Sequence, residues 1–545
     1  MGKIAKTTNT VVMIISVLLI LLVVNFLAAR HLMWRIDLTS DKIYTLSDSS
    51  KKIAGELEDL VTVKAYFSQK LPPYLSNIRQ EVEDILREYQ AYAKGNLRVE
   101  FIDPTEDDEL KRKLMYDGIM PINLQTIDKH KFEVMEAYFG MTINYEDRKE
   151  SIPIVDPTSL EYDLSAAIKK VSLPKPPTVA FYTNKEDLDV DMEYLSLMRS
   201  IRKLYEVRPV EIGPGQRIPP TIDVLFIVSP EDFSESELFE IDQFVMRGGK
   251  LICLVDTVDI DQRTLRATVD KPNISKILTR YGLKVNEDLI EDYRSNAVAS
   301  FSSGFMRTMV NYPFWVSVGK SLNSENPITQ NLQALVLPWT SSVGRSEEIP
   351  ENVEIITLAS TTDAGHKNTA PFNLNPFDRD RPKLKQEDLD QYDLVLMAKG
   401  RFSSAYEGED IPEVNQDAQE DRPGASSSGT TEKDRKNESS ETSILLVGNS
   451  MFARDKYVSS TRAEDNLIFV ENVIDSVALG EDLMGIRARA SAQRPIKKDL
   501  TEGQKTTYKW LSIVGVPVLI ILLGLLHIPW VRARRRYYEN ILTRG

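Results

Sequence analysis

Cysteine and histidine are scarce in this chain, which has one cysteine and four histidines among 545 residues. The single cysteine, Cys253, excludes a disulfide within the chain, and its place in the apolar run 250–255 predicts a small buried side chain. The four histidines are His31, His130, His366 and His527. Their wide separation matches no metal-ligand spacing, so the sequence predicts neither a metal site nor a cofactor.

The sequence also lacks a nucleotide-binding loop and an excess of basic residues. The Gly-Gly-Lys at 248–250 departs from Gly-x-x-x-x-Gly-Lys-Ser/Thr, because Phe244 replaces the first glycine and Leu251 replaces the hydroxyl residue. The chain has 67 basic and 81 acidic residues and a net charge of −14. Nucleic-acid-binding proteins usually carry clusters of Lys and Arg that contact the phosphates, so a nucleic-acid partner is not expected for this acidic chain.

Two long runs without charge are present, at residues 11–29 and 511–530. A helix rises about 1.5 Å per residue, so each run is long enough to cross a hydrocarbon core of about 30 Å. Both are predicted to be transmembrane helices, and the first is interpreted as an uncleaved signal anchor. The residues between them would then form a body that is tethered to one membrane at both ends.

The tail after the second run predicts the orientation of the chain. This tail contains Arg532, Arg534, Arg535 and Arg536. By the positive-inside rule, residues 531–545 are predicted to be cytoplasmic, and residues 1–10 share that side because two spans return the chain to it. The body is therefore predicted to lie outside the cytoplasm, in the periplasm at a bacterial inner membrane.

Residues 30–173 are predicted to form one extracytoplasmic domain. Periodicity indicates strands at 61–67 and 97–102, helices at 77–93 and 106–116, and a long hairpin over 131–155. This order is similar to that of thioredoxin-like folds, with Pro121 where those folds keep a cis proline. The segment 67–73 lacks Cys-x-x-Cys, so disulfide exchange is not expected. A capping box of Thr158 and Glu161 is predicted to begin the next helix.

Residues 174–490 are predicted to form an α/β domain. Strands are expected at 178–182, 207–212, 222–228, 250–255, 353–360, 392–399 and 443–448, and helices at 192–205, between Ser234 and Gly248, and at 467–478. Ser234 is predicted to cap the second of these helices together with Glu237. Their alternation predicts a doubly wound parallel sheet, similar to flavodoxin-like and class I amidotransferase-like folds. Residues 411–443 are polar and Ser-rich and are predicted to be a disordered loop, and residues 491–510 a connector. Cys253 lacks the flanking glycines of a nucleophile elbow, so an enzyme is not expected.

The ends of two predicted strands provide candidate ligand residues. Asp256 follows the strand at 250–255, and Asn449 and Ser450 follow the strand at 443–448. Ligands of open α/β sheets lie at this edge, outside the carboxyl ends of the strands. Ordinary turn and helix-cap chemistry is the alternative explanation for the same residues.

Two tryptophans allow a second interpretation of the middle of the chain. Trp315 and Trp339 lie in the less regular stretch 256–345, in segments rich in apolar and aromatic residues. They are either core packing or part of a partner-binding surface, because Trp and Tyr are enriched at protein interfaces.

Five segments carry a resemblance to a known family. They are residues 37–47, 61–73, 247–256, 447–452 and 466–475. With the two terminal runs, they resemble the gliding-motility-associated ABC transporter auxiliary family over almost the whole chain. The resemblance implies a middle domain similar to one of intraflagellar transport proteins, an ABC permease and a separate ATPase as partners, and no catalytic residues.

Three functional hypotheses follow. The first is a non-catalytic extracytoplasmic subunit of an ABC-type complex that binds substrate or partner proteins, which agrees with the missing nucleotide loop. The second is a structural adaptor of a cell-envelope machine for motility or polysaccharide. The third, a membrane-tethered amidotransferase-like hydrolase, requires a nucleophile–base pair that the sequence does not show. Self-association into a homo-oligomer is left open.

Overall fold

A computed structural model describes residues 45–479, apart from 70, 73–74, 129–130, 304–305, 331, 379–383 and 414–428, together with Ile486. The chain divides into compact units at residues 1–491 and 492–545, and all the described residues belong to the first. No helix in this described part is both long and apolar enough to cross a membrane. The predicted spans at 11–29 and 511–530 and the basic tail fall outside it, so membrane anchoring and orientation stay predictions.

The first part of the chain forms a small mixed sheet with helices. In chain order its elements are α1 (Asp48–Gly55), β1 (Val61–Phe67), α2 (Ser76–Tyr92), β2 (Leu97–Ile102), α3 (Asp108–Tyr116), β3 (Ile122–Asp128), β4 (Lys131–Ala137), β5 (Phe139–Tyr145), β6 (Arg148–Ile152) and α4 (Leu160–Ser172). The strand order is β2–β1–β5–β6, with β1 parallel to β2 and antiparallel to β5. β3 and β4 pair separately as a two-stranded hairpin.

The core of this part lies between β1 and α2. Val61 and Val63 alternate along β1 and are fully buried, which places one face of the strand against the helices. Val82, Leu86 and Tyr89 recur at helical spacing on α2 and belong to the same apolar cluster. The helix predicted at 77–93 is therefore confirmed, and these three residues form its buried face.

The predicted role of Pro121 is wrong. The Met120–Pro121 peptide bond is trans, and among the described residues only Ala370–Pro371 is cis. Pro121 leads into the inserted hairpin of β3 and β4, and only after that hairpin does β5 join the sheet. In thioredoxin-like folds the cis proline directly precedes a strand of the sheet. Here the strand after Pro121 belongs to the separate hairpin instead.

The predicted capping box of Thr158 and Glu161 is also wrong. Helix α4 begins at Leu160 after Ser159, which makes no side-chain cap bond. The Glu161 carboxylate instead accepts hydrogen bonds from the backbone N–H of Ser47, at 2.6 Å, and from the hydroxyl of Ser50, at 2.7 Å. Ser47 is the N-cap of α1. In a capping box, the side chain of the third helical residue accepts the N–H of the N-cap residue. Glu161 makes this contact for α1, although it lies more than a hundred residues after that helix.

The second part is built on a seven-stranded sheet. Its sheet strands are β7 (Thr178–Tyr182), β8 (Glu206–Pro209), β9 (Val224–Val228), β10 (Lys250–Leu254), β19 (Val353–Ser360), β21 (Asp393–Gly400) and β22 (Thr442–Val447). The order is β19–β21–β22–β10–β9–β7–β8. The strands from β22 to β8 are parallel, whereas β21 and β19 add an antiparallel edge. The fold is therefore a mixed α/β sheet rather than a wholly parallel one.

Helices cover this sheet close to the predicted positions. They are α5 (Val190–Glu193), α6 (Leu195–Ile201), α7 (Glu235–Met246), α9 (Asp455–Thr461) and α10 (Glu464–Ala478). Ser234 and Glu237 form the predicted capping box of α7, and Gly248 ends the turn after it at a positive φ of 92°. The single helix predicted at 192–205 is instead split at Tyr194, which is buried beside the sheet.

A large β-rich insertion separates β10 from the last sheet strands. It contains β11 (Val258–Asp261), β12 (Arg266–Val269), α8 (Ser275–Arg280), β13 (Leu283–Val285), β14 (Leu289–Asp292), β15 (Asn296–Ser303), β16 (Met306–Val318), β17 (Leu335–Pro338) and β18 (Val343–Arg345). A further strand, β20 (Gly365–Asn368), follows β19 and pairs with β14 of the insertion. The sequence analysis described residues 256–345 only as less regular and assigned no strands there, whereas the structure contains several. Several of its strands are short and pair with distant partners, such as β13 with β18 and β14 with β20. Local periodicity carries little signal for such pairs.

The predicted disordered loop at 411–443 is wrong for its described second half. Residues 414–428 lie outside the described residues, but the chain from 429 onwards packs on α7. Thr430 donates its N–H and hydroxyl to the buried carboxylate of Glu240. The Gln243 amide exchanges two hydrogen bonds with the backbone of Lys436, each of 2.9 Å. Residues 429–443 are held on the helix because its buried polar groups require hydrogen-bond partners.

Replacing Glu161 by Ala is expected to loosen α1. The change removes the acceptor of the Ser47 N–H, and loss of such a cap partner costs roughly 1–2 kcal/mol. Amide hydrogen exchange within residues 48–55 of the full chain should therefore accelerate about tenfold. Glu146→Ala, which removes an exposed carboxylate paired with Arg148, is the matched control. Equal exchange in both variants would contradict the capping role of Glu161.

Candidate functional site

Three neighbouring parallel strands end together at one edge of the large sheet. Strand β9 leads into Ser229, β10 into Asp256, and β22 into Asn449 and Ser450. Backbone hydrogen bonds continue past the strand ends, from Ser229 N to Leu254 O at 2.8 Å and from Val255 N to Val447 O at 2.9 Å. The sheet register therefore holds these polar residues side by side.

Asp256 is the centre of this arrangement. One carboxylate oxygen accepts the N–H of Ser450 at 2.8 Å, and the other accepts the hydroxyls of Ser450 and Ser229, at 2.5 and 2.9 Å. Ser229 has a left-handed backbone with φ of 43°, a conformation that is strained for a residue with a side chain. Two residues that the sequence predicts, Asp256 and Ser450, are thus brought into direct contact.

Asn449 faces the other way and has a structural role. It is fully buried, its amide donates to the carbonyl oxygen of Pro338 at 2.6 Å, and its side-chain oxygen accepts the N–H of Phe452 at 2.8 Å. These bonds join the strand end to the insertion and cap the short 3₁₀ turn at Met451–Ala453. Turn and cap chemistry, the alternative explanation, therefore describes Asn449.

Arg454 and Tyr194 complete the network and were missed by the sequence analysis. Arg454 donates to Ser450 Oγ at 3.1 Å and to Glu193 at 3.0 Å, and its Nε lies 3.3 Å from the hydroxyl of Tyr194. The Tyr194 hydroxyl in turn donates to the Ser450 carbonyl at 2.6 Å. Burial raises the pKa of Tyr194 to about 12, although Arg454 acts in the opposite direction, so the hydroxyl stays protonated at neutral pH. No local pattern links two residues that are 260 positions apart.

A polar cavity of about 160 Å³ opens over this network. Its carboxylates are Asp187, Glu193, Glu231, Asp256, Asp259 and Asp270. Its two cations, Lys185 and Arg454, are each paired with one of these, at 3.3 and 3.0 Å. The cavity therefore favours a small ligand or a partner side chain that donates hydrogen bonds or carries positive charge.

Cys253 lies inside β10, three residues before Asp256, and is not part of the strand-end network. The thiol is fully buried in β10, between Ile227 of β9 and Leu446 of β22. Burial raises the pKa of Cys253 well above its ordinary value, so the reactive thiolate is disfavoured. The prediction of a small buried side chain is confirmed.

Trp315 and Trp339 are core residues of the insertion. Their side chains are only 8 % and 6 % exposed, and their rings meet edge to face at 5.6 Å. Both also pack edge to face on Tyr457 of α9, at 6.0 and 6.1 Å. Packing, rather than an exposed partner surface, therefore describes them. Their contribution to the site is indirect, because α9 follows Arg454 directly.

The part of the chain that the structure describes contains no group of three or more His, Cys, Asp or Glu side chains placed to hold a metal ion. His366 is the one histidine among these residues, and its Nδ1 lies 3.1 Å from the backbone carbonyl of Asp388. The hydroxyls of Ser229 and Ser450 both donate to the carboxylate of Asp256. This arrangement is suited to binding a ligand and to holding these side chains in position.

Two family models match the sequence. One, described as an ABC-type uncharacterized transport system, covers residues 176–473, and the other, a domain of unknown function (DUF7088), covers residues 40–144. An uncharacterized protein of Borreliella burgdorferi is 22 % identical over 510 residues, which is 90 % of this chain and 92 % of the relative.

Solved structures show only distant similarity. The mmIFT52 N-terminal domain is 12 % identical with a TM-score of 0.32, over 56 % of this chain and 98 % of that domain. A putative ThuA-like protein from Bacteroides uniformis is 10 % identical with a TM-score of 0.28, over 57 % of this chain and 98 % of that protein. These scores are too low to support an argument about fold or function.

Replacing Asp256 by Asn is expected to open the strand-end network. The amide leaves one oxygen for three donors, and an unsatisfied buried donor costs roughly 1–3 kcal/mol. Amide exchange at Ser450 should therefore accelerate about tenfold or more in the full chain. Asp259→Asn, at an exposed carboxylate on the cavity rim, is the matched control. Unchanged exchange at Ser450 in Asp256→Asn would show that the network does not hold the site.

Proposed function

Because the chain belongs to the family described as an ABC-type uncharacterized transport system, we propose that it is a non-catalytic, membrane-anchored extracytoplasmic subunit of an ABC-type transporter. The observation that carries the proposal is the extent of the family match. Residues 176–473 include the whole seven-stranded sheet and the strand-end cavity. ATP hydrolysis would belong to a separate chain, since the Gly-Gly-Lys at 248–250 lacks the rest of a nucleotide loop.

The strand-end cavity is the proposed contact for a substrate or a partner protein. It lies where open α/β sheets bind their ligands, and its floor is held by the hydrogen bonds of Asp256, Ser450 and Arg454. A preorganised polar floor supports selective binding, because its donors and acceptors are already oriented before a ligand arrives.

The N-terminal part is proposed to be a thioredoxin-like scaffold without redox chemistry. Support comes from the strand order β2–β1–β5–β6, with a helix crossing between the parallel strands β1 and β2. A single cysteine, buried in another part of the chain, leaves this scaffold no dithiol for exchange. Its role would be to support or extend the binding surface.

Anchoring at a bacterial inner membrane, with both ends in the cytoplasm, is part of the same proposal. The uncharged runs at 11–29 and 511–530 and the arginines of the tail support it. A body tethered at both ends would be held at high effective concentration above a membrane partner, so a weak contact at the cavity would suffice for function.

A structural adaptor of a cell-envelope machine is the second candidate, and one surface favours it. The hairpin of β15 and β16 buries Ala299 and Tyr312 on its inner face, whereas Met309 is 72 % and Val298 44 % exposed on the outer face. An exposed Met is common at adaptable protein-binding surfaces. This face, rather than the two buried tryptophans, would then bind the partner.

Affinity purification of the full chain from native membranes in mild detergent tests the first proposal. A separate ATPase and a permease with several predicted spans should copurify in amounts comparable to the chain, as identified by mass spectrometry. The purified chain alone should not hydrolyse ATP. A chain that is recovered alone, as a monomer, would contradict the proposal.

Two sets of variants distinguish the two candidate surfaces. If the cavity holds the partner, Asp270→Asn combined with Glu231→Gln, two exposed carboxylates of its lining, should reduce the copurified proteins several-fold, whereas Met309→Gln combined with Val298→Thr should not. If the chain is instead an adaptor that binds through the β15–β16 hairpin, the Met309→Gln, Val298→Thr variant should lose the copurified proteins and the cavity variant should retain them. Both sets should leave the melting temperature of the chain within a few degrees of the wild type, which separates loss of contact from loss of fold.

A further inference from the structure

The cavity at the opposite end of the sheet has the opposite charge. It has a volume of about 730 Å³ and lies beside Asp223 and Lys250, where β9 and β10 begin. Its cations are Arg217, Arg247, Lys250, Lys433, Arg435 and Lys436, against the two carboxylates Asp223 and Asp434. Six positive charges against two stand out in a chain whose net charge is −14.

The two carboxylates of this basic cavity are already used within the protein. Asp223 accepts the N–H of Thr178 at 2.8 Å, and Asp434 accepts the Thr431 hydroxyl at 2.9 Å. The closest approach of Asp434 to Arg217 is 3.9 Å, at the limit of an ion pair. Arg435 is paired with Glu432 at 3.4 Å, whereas the ammonium groups of Lys250, Lys433 and Lys436 have no ion-pair partner among the described residues.

The arginines are fixed along one edge and keep other donors unused. Arg247 donates to the carbonyl of Ile218 at 3.2 Å, and Arg435 donates to that of Glu409 at 2.7 Å. The Nε atoms of Arg435, whose side chain is 10 % exposed, and of Arg217 are buried without a hydrogen-bond partner among the described residues. Burial, followed by the positive charge of Arg217, lowers the pKa of Arg247. Fixed guanidinium groups that repel one another form a site that an anion would stabilise.

The Gly-Gly-Lys at 248–250 belongs to this cavity. A side chain at Gly249 would collide with the ring of Phe244 at 2.3 Å, so the glycine pair serves the close turn after α7. Lys250 follows directly and lines the cavity. The motif that fails as a nucleotide loop therefore contributes a cation here by a different geometry.

We propose that the basic cavity binds a phosphate-bearing anion. Arg and Lys are the usual partners of phosphate oxygens, and the volume is in the range of about 300–1,000 Å³ that holds a small organic ligand. Free phosphate compounds and anionic phospholipid headgroups share this chemistry. The proposal does not depend on the transporter assignment, because the basic cavity and the strand-end cavity lie at opposite ends of β9 and β10.

Titration calorimetry on the full chain in neutral detergent tests the proposal, with inorganic pyrophosphate in one arm. The second arm uses short-chain phosphatidylglycerol, compared with phosphatidylcholine of the same length. Saturable binding of either anionic probe, without binding of phosphatidylcholine, supports the proposal. Pyrophosphate binding alone would identify a free phosphate compound as the ligand source, and phosphatidylglycerol binding alone a lipid headgroup.

The test variant combines Lys250→Gln, Lys433→Gln and Lys436→Gln. Their ammonium groups make no hydrogen bond or ion pair with another described residue, so the fold should tolerate the change, as checked by circular dichroism. The control combines Lys284→Gln, Lys367→Gln and Lys399→Gln and removes the same charge elsewhere. Binding should weaken about tenfold or more in the first variant and less than about twofold in the control.

Two results would overturn the proposal. One is the absence of saturable binding of both anionic probes to the wild-type chain. The other is an equal weakening in the test and control variants, which would assign the binding to net charge rather than to this cavity. If the triple variant unfolds, the single exposed change Lys436→Gln replaces it, and unchanged binding would then count against the site.

Discussion

The parallel pairing of β9, β10 and β22 is the constraint on which the rest of the structure depends. The three strands are buried almost throughout, so a shift of register would expose apolar side chains on both faces. Their fixed register places Ser229, Asp256 and Ser450 at the same edge. The large β-rich insertion leaves the sheet after Asp256 and returns to it at β19.

The same pairing separates charge along the sheet. Carboxylates predominate over the carboxyl ends of the strands and cations at their amino ends, within a chain whose overall charge is negative. Parallel strands make this separation straightforward, because the segments that follow β9 and β10 lie at one end of the sheet and the segments that precede them lie at the other. Two ligand chemistries can therefore be served by one sheet without competing for the same side chains.

Sequence reasoning predicted the parts of the structure that depend on local patterns. The apolar strands, the capping box of Ser234 and Glu237, and the placement of Asp256 and Ser450 at strand ends follow from period, capping and topology rules. Arg454, Tyr194 and the capping of α1 by Glu161 could not be predicted, because each depends on contacts between distant segments. The short strands of the insertion were missed for the same reason. Composition alone could not decide the role of Trp315 and Trp339, because aromatic residues are enriched in protein cores as well as at interfaces.

Site-specific photocrosslinking in native membranes can show whether the strand-end edge of the sheet contacts a transporter. A photoreactive amino acid at Asp270, on the exposed rim of the strand-end cavity, can capture whatever approaches that edge of the sheet. The account predicts an adduct with a component of an ABC-type transporter. An intact complex without an adduct from position 270, but with one from position 309 on the β15–β16 hairpin, would contradict it.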